Sequence, residues 1–246
     1  MPGTSFDRVA GIYDETRGGQ RRGNNFADDI SPWIRGSRVA ELGIGTGVIA
    51  VGLRRHGFDA IGFDLSLSMM HAAVERVGQR VAAADVDHLP LPDNCIDTTI
   101  LVWVLQLVAD PTHTLREAAR VTRPGGRVIT VLSVADDHPS DEIAGITTGL
   151  RQLRRITRGR DPILEDAPPS LRILHDGFTS WNEFEDSAAK QAGMIERREY
   201  SSLFDVDAST WTKVVEPVLA ELRSLPEPDR ARTRCNRHPL IVWEAT

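Results

Sequence analysis

Glu41-Leu42-Gly43-Ile44-Gly45-Thr46-Gly47, entered through Arg38-Val39-Ala40 and left through Val48-Ile49-Ala50-Val51, decides how this chain is read. A short apolar strand runs into three glycines at alternate positions and then into a helical pattern. Glycine turns through backbone angles closed to other residues and lets a ligand approach without meeting a Cβ. The first N–H groups of the following helix have no partner inside it and form a polar cradle beside the turn. The next run, Asp59 to Asp64, ends on a carboxylate. It stands about 20 residues beyond the first glycine, where an acid takes both hydroxyls of a ribose in dinucleotide sites. These features point to a nucleoside-containing cofactor.

The third glycine narrows the choice. The nicotinamide fingerprint G-x-G-x-x-G needs glycine at position 48, where this chain has Val48, and its glycine falls one earlier, at Gly47. The loop also opens on an acid, Glu41, which would repel a pyrophosphate by about 1 kcal/mol or more at close range. An acid suits a ligand with a cationic amino-acid tail. Glu-x-Gly-x-Gly-x-Gly at the end of a first strand resembles the S-adenosyl-L-methionine (SAM) loop of class I methyltransferases.

Three further stretches extend the resemblance over roughly residues 6–134. Asp85-Val86-Asp87-His88-Leu89-Pro90-Leu91-Pro92-Asp93-Asn94-Cys95-Ile96-Asp97 is similar to the "D-A-E-x-L-P-F-P-D-N-S-F-D" stretch of the small-molecule branch that includes the quinone methyltransferases. Leu115-Arg116-Glu117-Ala118-Ala119-Arg120-Val121-Thr122-Arg123-Pro124-Gly125-Gly126 looks like its "L-x-E-x-x-R-V-L-K-P-G-G" helix-to-strand junction. Phe6-Asp7-Arg8-Val9-Ala10-Gly11-Ile12-Tyr13-Asp14 resembles its opening "F-D-x-x-A-x-x-Y-D".

Composition sets the outer bounds. The chain has 246 residues, 41% hydrophobic, with net charge −6, a sequence pI of about 5.7 and a mean hydropathy of −0.25. That is the profile of a soluble globule, and the acidic balance argues against a large nucleic-acid footprint. No apolar run approaches a membrane span and no signal pattern opens the chain, so the cytoplasm is the expected location. Cys95 and Cys235 are too few and too distant in sequence for a disulfide framework or a zinc site, and no metal is expected. All but two of the 29 basic residues are arginine, a compositional hint of a high-GC bacterial genome.

Strands and helices alternate: strands 38–42, 59–64, 80–84, 97–104 and 126–134, with helices 46–56, 66–77 and 111–122 between them. Runs 38–42 and 97–105 are apolar without alternation, as strands buried on both faces are. Alternation implies a parallel sheet with right-handed crossovers, whose ligand sits beyond the carboxyl ends of the strands. The expected fold is α/β, a Rossmann-like seven-stranded, mostly parallel sheet with helices on both faces and a lid insertion after strand five. One domain, 1–246, would comprise an N-terminal cap (1–35), the cofactor-binding core (36–134), a substrate lid (135–178) and the C-terminal part of the sheet (179–246). Residues 20–34 read as a polar turn and short helix, and 140–158 as a helix. Ser180 with Glu183 reads as a capping box for a helix ending near Gly193. Strand-like 194–204, a helix at 208–224 and a strand at 239–244 close the chain. The family would add those last two strands to the sheet, one of them antiparallel.

Site residues follow from the residues and from the resemblance. Asp64 is the candidate for the ribose diol, Glu41 for the loop and the methionine amino group, and Gly43, Gly45 and Gly47 for close approach. Leu65 would pack on the adenine face. The resemblance assigns Asp85 to the adenine exocyclic amine, Val86 to a backbone N–H toward the same base, and Tyr13 to the aromatic that closes over the methionine end. Gln106 and Leu107 stand where the family often has histidines, so no acid or base role carries over there. No "P-P-Y" or "P-C" follows this strand, which disfavours base-modifying DNA methyltransferases. Of seven histidines, His138, after strand five with Asp136 and Asp137 beside it, and His175, in the lid, are the candidate bases. Arg151, Arg154, Arg155 and Arg158 share one helix face, read as a solvated or partner-facing surface that could otherwise hold an anionic substrate.

The resemblance implies methyl transfer from SAM to a small organic acceptor, quinone-like or a secondary metabolite, with O, N or C as the accepting atom. A monomer or homodimer without a nucleic-acid partner is expected. The alternatives are a catalyst of the same fold that uses SAM without transferring its methyl, such as a pericyclase, and a non-catalytic nucleoside-binding protein.

Overall fold

Gly18, in the left-handed conformation at φ +84°, ends helix α1 (Tyr13–Arg17) and starts helix α2 (Gly19–Ile30). The computed structural model describes residues 6–7, 10–133, 136–153 and 160–246. Next come β1 (Arg38–Leu42), α3 (Val48–Arg55), β2 (Asp59–Asp64), α4 (Leu67–Val77), β3 (Val81–Ala83), β4 (Ile96–Val102), α5 (Pro111–Val121) and β5 (Thr122–Val131). The rest comprises β6 (Asp136–Asp137), α6 (Glu142–Thr147), α7 (Arg160–Glu165), β7 (Leu171–Phe178), β8 (Asn182–Asp186), α8 (Ala188–Glu196), α9 (Ala208–Thr210), α10 (Glu216–Ser224), β9 (Arg232–Arg237) and β10 (Pro239–Ala245).

These elements form two compact units. The first holds a seven-stranded sheet in the order β3-β2-β1-β4-β5-β10-β7. Strands β1 to β5 are parallel, and β10 runs antiparallel to both β5 and β7. This is the expected Rossmann-like sheet. Neighbouring Ile100 and Leu101 on β4 are both fully buried in different apolar clusters, so the strand carries no polar face. One cluster joins Leu42, Phe63, Leu101 and Trp243 to Leu115 of α5. The other joins Val39, Ile100 and Val242 to Phe26 and Ile30 of α2 and Leu53 of α3.

The second unit carries the small antiparallel sheet β6-β9-β8 and a helical cluster of its own. Ile143, Ile195, Leu203, Val215 and Leu222 close that core. Among the described residues, no helix is long and apolar enough to cross a membrane.

Several sequence expectations are corrected here. Residues 171–178, placed in the lid by the sequence, form β7 and supply an edge strand of the large sheet, paired with β10. Segment 194–204 is not a strand: α8 runs to Glu196 and a single 3₁₀ turn follows at Ser201–Leu203. Ser180 caps no helix; its hydroxyl donates to Asp29 at 2.6 Å. Ser187 caps α8 instead, accepting from Lys190 N–H at 3.2 Å, while 182–186 is β8. The helix expected over 140–158 is α6 followed by a 3₁₀ turn at Thr148–Leu153, and its remainder lies outside the described residues. The stretch at 20–34 is helical from Gly19 to Ile30, with Gly23, Phe26, Ala27 and Ile30 buried and Gly23 set against Val48 of α3.

Asp97, near the start of β4, ties two strands together. Its Oδ2 accepts the N–H groups of Ser37 and Arg38 at 3.0 and 2.9 Å, and its Oδ1 takes the guanidinium groups of Arg38 and Arg123. Burial raises its pKa, but the Arg38 N–H and guanidinium, Ser37 and Arg123 outweigh that and hold it below its usual 3.8. An acid whose pKa falls on folding contributes stability above its unfolded pKa and loses it as pH drops through the folded value. Asp97→Ala should therefore cost about 2–4 kcal/mol at neutral pH in denaturant titration. The gap to wild type should close as pH falls below 3.8; a gap independent of pH would refute the assignment.

Candidate functional site

The site grows from the carboxyl ends of β1, β2 and β4, all within the first unit. Gly43 N–H and Ile44 N–H donate to Phe63 O at 2.8 and 2.9 Å, so the loop leaving β1 stays bonded to β2. The three glycines serve different purposes. A Cβ on Gly43 would come 2.5 Å from Val104 Cγ2, and one on Gly47 would press on Ala73 of α4. Both are demanded by packing. Gly45, at φ +55°, has nothing within 4 Å of where its Cβ would lie, so its face of the loop is open for close approach.

Asp64, at the end of β2, is braced by that loop. Its Oδ2 accepts Gly45 N–H and its Oδ1 accepts Ser66 N–H, each at 2.8 Å. Burial raises its pKa against the lowering effect of the Ser66, Gly45 and Leu65 N–H groups. Each carboxylate oxygen keeps a free lone pair, and two adjacent acceptors held by backbone donors suit a vicinal diol. Leu65, beside it, is 46% exposed. It offers an exposed apolar side chain next to the braced carboxylate.

Glu41 is 1% exposed. The Ala50 N–H, one of the unpaired donors of α3, donates to it, and its Oε2 is buried with no hydrogen-bond partner. Burial pushes this carboxyl well above the usual carboxylate range and the charge of Asp64 pushes it further, against the Ala50 N–H. A buried acceptor lacking a donor is costly unless a ligand supplies one. A cationic amine fits that vacancy; a phosphate does not. The donor and acceptor set thus fits SAM: Asp64 for the ribose, Leu65 for the adenine and Glu41 for the ammonium.

Asp85 and Val86 follow β3 as expected. Asp85 is exposed, and its Oδ1 accepts Asp87 N–H at 3.0 Å in a tight turn; Val86 is half-buried against the core. The N-terminal segment is latched onto the loop. Thr46 Oγ1 donates to Asp14 at 2.6 Å, Arg76 bridges Asp14 and Thr46 O, and Ser66 Oγ donates to Asp7 at 2.6 Å. Tyr13 is held in this latch, its ring 5.6 Å from the Arg22 guanidinium.

The candidate bases are not brought to this cleft by any observed contact. His138 belongs to the second unit, exposed, with Nδ1 2.8 Å from Ser140 Oγ and its ring edge-on to Trp181. The acids expected to orient it are engaged elsewhere, Asp136 with Arg237 and Asp137 with Arg151. His175 lies on β7 with its ring stacked on Trp33 at 4.4 Å and laid across Gly177. Arg151 spends its charge on Asp137, while Arg154, Arg155 and Arg158 lie outside the described residues.

Two residues escaped the sequence reading. Trp103 follows β4 at φ +59°, a conformation that strains any residue with a Cβ. Its indole N–H is buried without a partner, as is Gln106 Oε1, whose amide donates to Trp103 O. Arg22, on α2, lies against the Trp103 ring. The position of Trp103 at the end of a buried strand was a usable signal; nothing local marks Arg22.

Comparison with known proteins adds three findings. A family model described as a methyltransferase domain matches residues 40–130. A demethylmenaquinone methyltransferase of Mycobacterium bovis (strain BCG) is 38% identical over 184 residues, covering 72% of this chain and 75% of that protein. One from Mycobacterium marinum is 39% identical over 132 residues; the match covers 50% of this chain and spans only 55% of the relative. Among solved structures, a SAM-dependent methyltransferase of Thermotoga maritima, described as a possible histamine N-methyltransferase, superposes with a TM-score of 0.60. It is 15% identical and covers 100% of this chain and 99% of that one, which shows a shared fold.

Glu41 yields a test that needs no ligand. An acid whose pKa rises on folding has no effect on stability below its unfolded value. As pH climbs from there toward the folded pKa, the unfolded chain ionises first and stability is lost. Glu41→Gln removes that loss while keeping an acceptor for Ala50 N–H. Its melting temperature should match wild type below pH 4.5 and exceed it increasingly at higher pH. A variant less stable than wild type at pH 8 would refute the buried, uncompensated carboxyl.

Proposed function

The chain belongs to the SAM-dependent methyltransferase family, and from that premise we propose which residues hold the cofactor and what kind of acceptor is methylated. The enzyme uses SAM, and the observation that carries its placement is the buried, unpartnered Glu41 Oε2 beside the braced carboxylate of Asp64. When bound, SAM supplies a methyl group made electrophilic by its sulfonium. On this reading Asp64 takes the ribose hydroxyls and Glu41 the ammonium. Asp85 and the Val86 N–H take the adenine edge, with Leu65 against its face. Gly45 allows the close approach, Gly43 and Gly47 hold the loop around it, and Tyr13 closes the methionine end.

The proposed acceptor is a small organic molecule of the quinone or phenol class. It is supported by the names of the relatives matched and by the absence of a base-flipping signature after β4. The segment 135–178 is proposed to select it, apart from β7. The enzyme is proposed to work in the bacterial cytoplasm as a monomer or homodimer, without nucleic acid. Much of the rate comes from holding donor and acceptor in near-attack geometry, which requires no protein base for an acceptor of low pKa. Among the described residues, no hydrogen bond joins His138 or His175 to a carboxylate, which supports proximity over general-base catalysis.

Three measurements check this. Asp64→Ala should weaken S-adenosylhomocysteine (SAH) binding by about 2–4 kcal/mol in calorimetry, and unchanged affinity would end the ribose assignment. S-inosylhomocysteine, which lacks the adenine amine, should bind wild type more weakly than SAH; equal binding would remove Asp85 from the site. SAH release assayed with demethylated quinones, phenols, amines and carboxylates should single out the first two. In that assay His138→Ala and His175→Gln should keep kcat within about threefold, since loss of a true base costs about 10²–10⁴.

A further inference from the structure

The loop between β3 and β4 joins no strand ladder, and one side of α5 holds it instead. His113, Glu117 and Arg120 lie at i, i+4 and i+7 on one helix face, with Thr114 beside them. Thr114 Oγ1 donates to Asp87 Oδ1, and His113 Nε2 stands 3.2 Å from Asp87 O. A carbonyl only accepts, so that ring nitrogen carries the hydrogen. Glu117 Oε1 accepts Leu89 N–H at 2.7 Å. Arg120 donates to both oxygens of Glu117 at 2.7 Å, to Leu89 O at 3.3 Å, to Leu91 O at 2.9 Å and to Asp93 at 2.6 Å. Its own carbonyl accepts Asn94 N–H at 2.9 Å, where the chain passes through φ +58°.

This staple is stiff. The Glu117–Arg120 pair is bidentate, which fixes the guanidinium in plane with the carboxylate. The hydrogen bonds from Arg120 hold the Glu117 carboxyl below its ordinary value despite its burial, and the Leu89 N–H adds to that effect. Thr114 is fully buried, and Leu89 packs in the same apolar cluster as Leu115 of α5. The other end of the loop is anchored less well. Strand β3 has three residues and pairs with β2 alone among the described residues, and Ala82 and Ala83 are exposed. Asp85 and Val86 lie between this thin edge strand and the stapled segment. Asp85 is shaped from the stapled side: its Oδ1 accepts Asp87 N–H and its carbonyl accepts His88 N–H, both at 3.0 Å. Asp87, gripped by Thr114 and His113, therefore sets the turn that orients the Asp85 carboxylate.

We propose that α5 sets the protein's selectivity for adenine from behind the site. Thr114 acts through Asp87, and the Glu117–Arg120 pair acts through the backbone of Leu89 and Leu91, to hold the Asp85 carboxylate and the Val86 N–H where a base edge meets both. These are positioning residues and touch no cofactor atom. The proposal rests on the reading of Asp85 and Val86 as the adenine contacts. A hydrogen bond weakens steeply once donor and acceptor swing out of line, so a loosened turn loses its contacts to the base first. The ribose and methionine contacts proposed for Asp64 and Glu41 stand on β2 and β1, outside the staple, and are left in place.

The test measures SAH and S-inosylhomocysteine, which has an oxygen in place of the adenine amine, by calorimetry on wild type and three variants. Thr114→Val keeps the side-chain shape and removes the hydroxyl that grips Asp87, Thr114→Ser keeps that hydroxyl, and Arg120→Leu removes the fork. Wild type should prefer SAH by about 10-fold, the worth of a hydrogen bond to a charged group. In Thr114→Val and Arg120→Leu the preference should fall to about threefold or less, through weaker SAH binding alone, which isolates a coupling between α5 and the base. Thr114→Ser should keep the wild-type preference. A preference that survives in Thr114→Val would overturn the proposal, as would a variant that loses affinity for both ligands alike, since that is general loosening. Loss of the preference in Thr114→Ser would overturn it too. If Arg120→Leu does not fold, the two Thr114 variants decide. Wild type that binds both ligands equally would refute the adenine role of Asp85 itself, whereas a wild-type preference untouched by the variants would refute only the part assigned to α5.

Discussion

Strand β1 is hydrogen-bonded to β2 on one edge and β4 on the other, and four of its five residues are buried. A chain leaving such a strand has little freedom: it must turn at once, between two neighbours, into a helix that covers the sheet. The turn from Gly43 to Gly47 is set by that confinement, with Val104 on one side and Ala73 on the other. The site depends on this exit. It points the open N–H groups of α3 at the strand end, brings Gly45 N–H onto Asp64, and leaves Glu41 enclosed beneath the loop. A residue larger than glycine at position 43 would be strained by the positive φ and would meet Val104 Cγ2 at 2.5 Å.

The sequence blocks that carry the family resemblance are largely braces and not chemistry. Glu117 accepts Leu89 N–H at 2.7 Å, and Arg120 donates to the carbonyls of Leu89 and Leu91 and to Asp93. Two side chains on α5 thereby satisfy the backbone of an irregular segment that has no strand to pair with, as buried polar backbone demands. The opening block works likewise, Asp7 binding Ser66 and Asp14 binding Thr46 and Arg76. In this chain they hold the loops that leave β2 and β3 and the glycine turn after β1. Gln106 and Leu107, after β4, are where this chain departs from the family pattern.

Among the described residues, buried polar atoms without a hydrogen-bond partner include Glu41 Oε2, the Trp103 indole N–H, Gln106 Oε1 and two nitrogens of Arg22, and as many again lie elsewhere in the two units. Trp103 adds a left-handed backbone to the same region. Each costs stability in the free protein, and the surrounding sheet and helix contacts are strong enough to sustain them.

The order of strands and helices from residue 38 to 131 was readable in the sequence because it rests on local physics. Unbroken apolar runs mark strands buried on both faces, Ser66 and Asp110 cap the helices that follow, and glycines mark the turn. Glu41, Asp64 and Leu65 were singled out as candidates on the same ground, since each sits within two residues of a strand end. Beyond residue 135 the signals failed. Short, polar β8 and β9 pair with each other and not with the large sheet, and β7 is an edge strand with exposed Ile173 and Leu174, so neither shows the buried-strand pattern. Arg22 was invisible in sequence because its meaning lies in a missing partner. Only packing, α2 against α3 and the guanidinium against Trp103 and Tyr13, decided that an arginine on a polar helix would be enclosed. Local propensity names the elements, but whether a charge ends in water or against a ring is settled by surfaces brought together from distant parts of the chain.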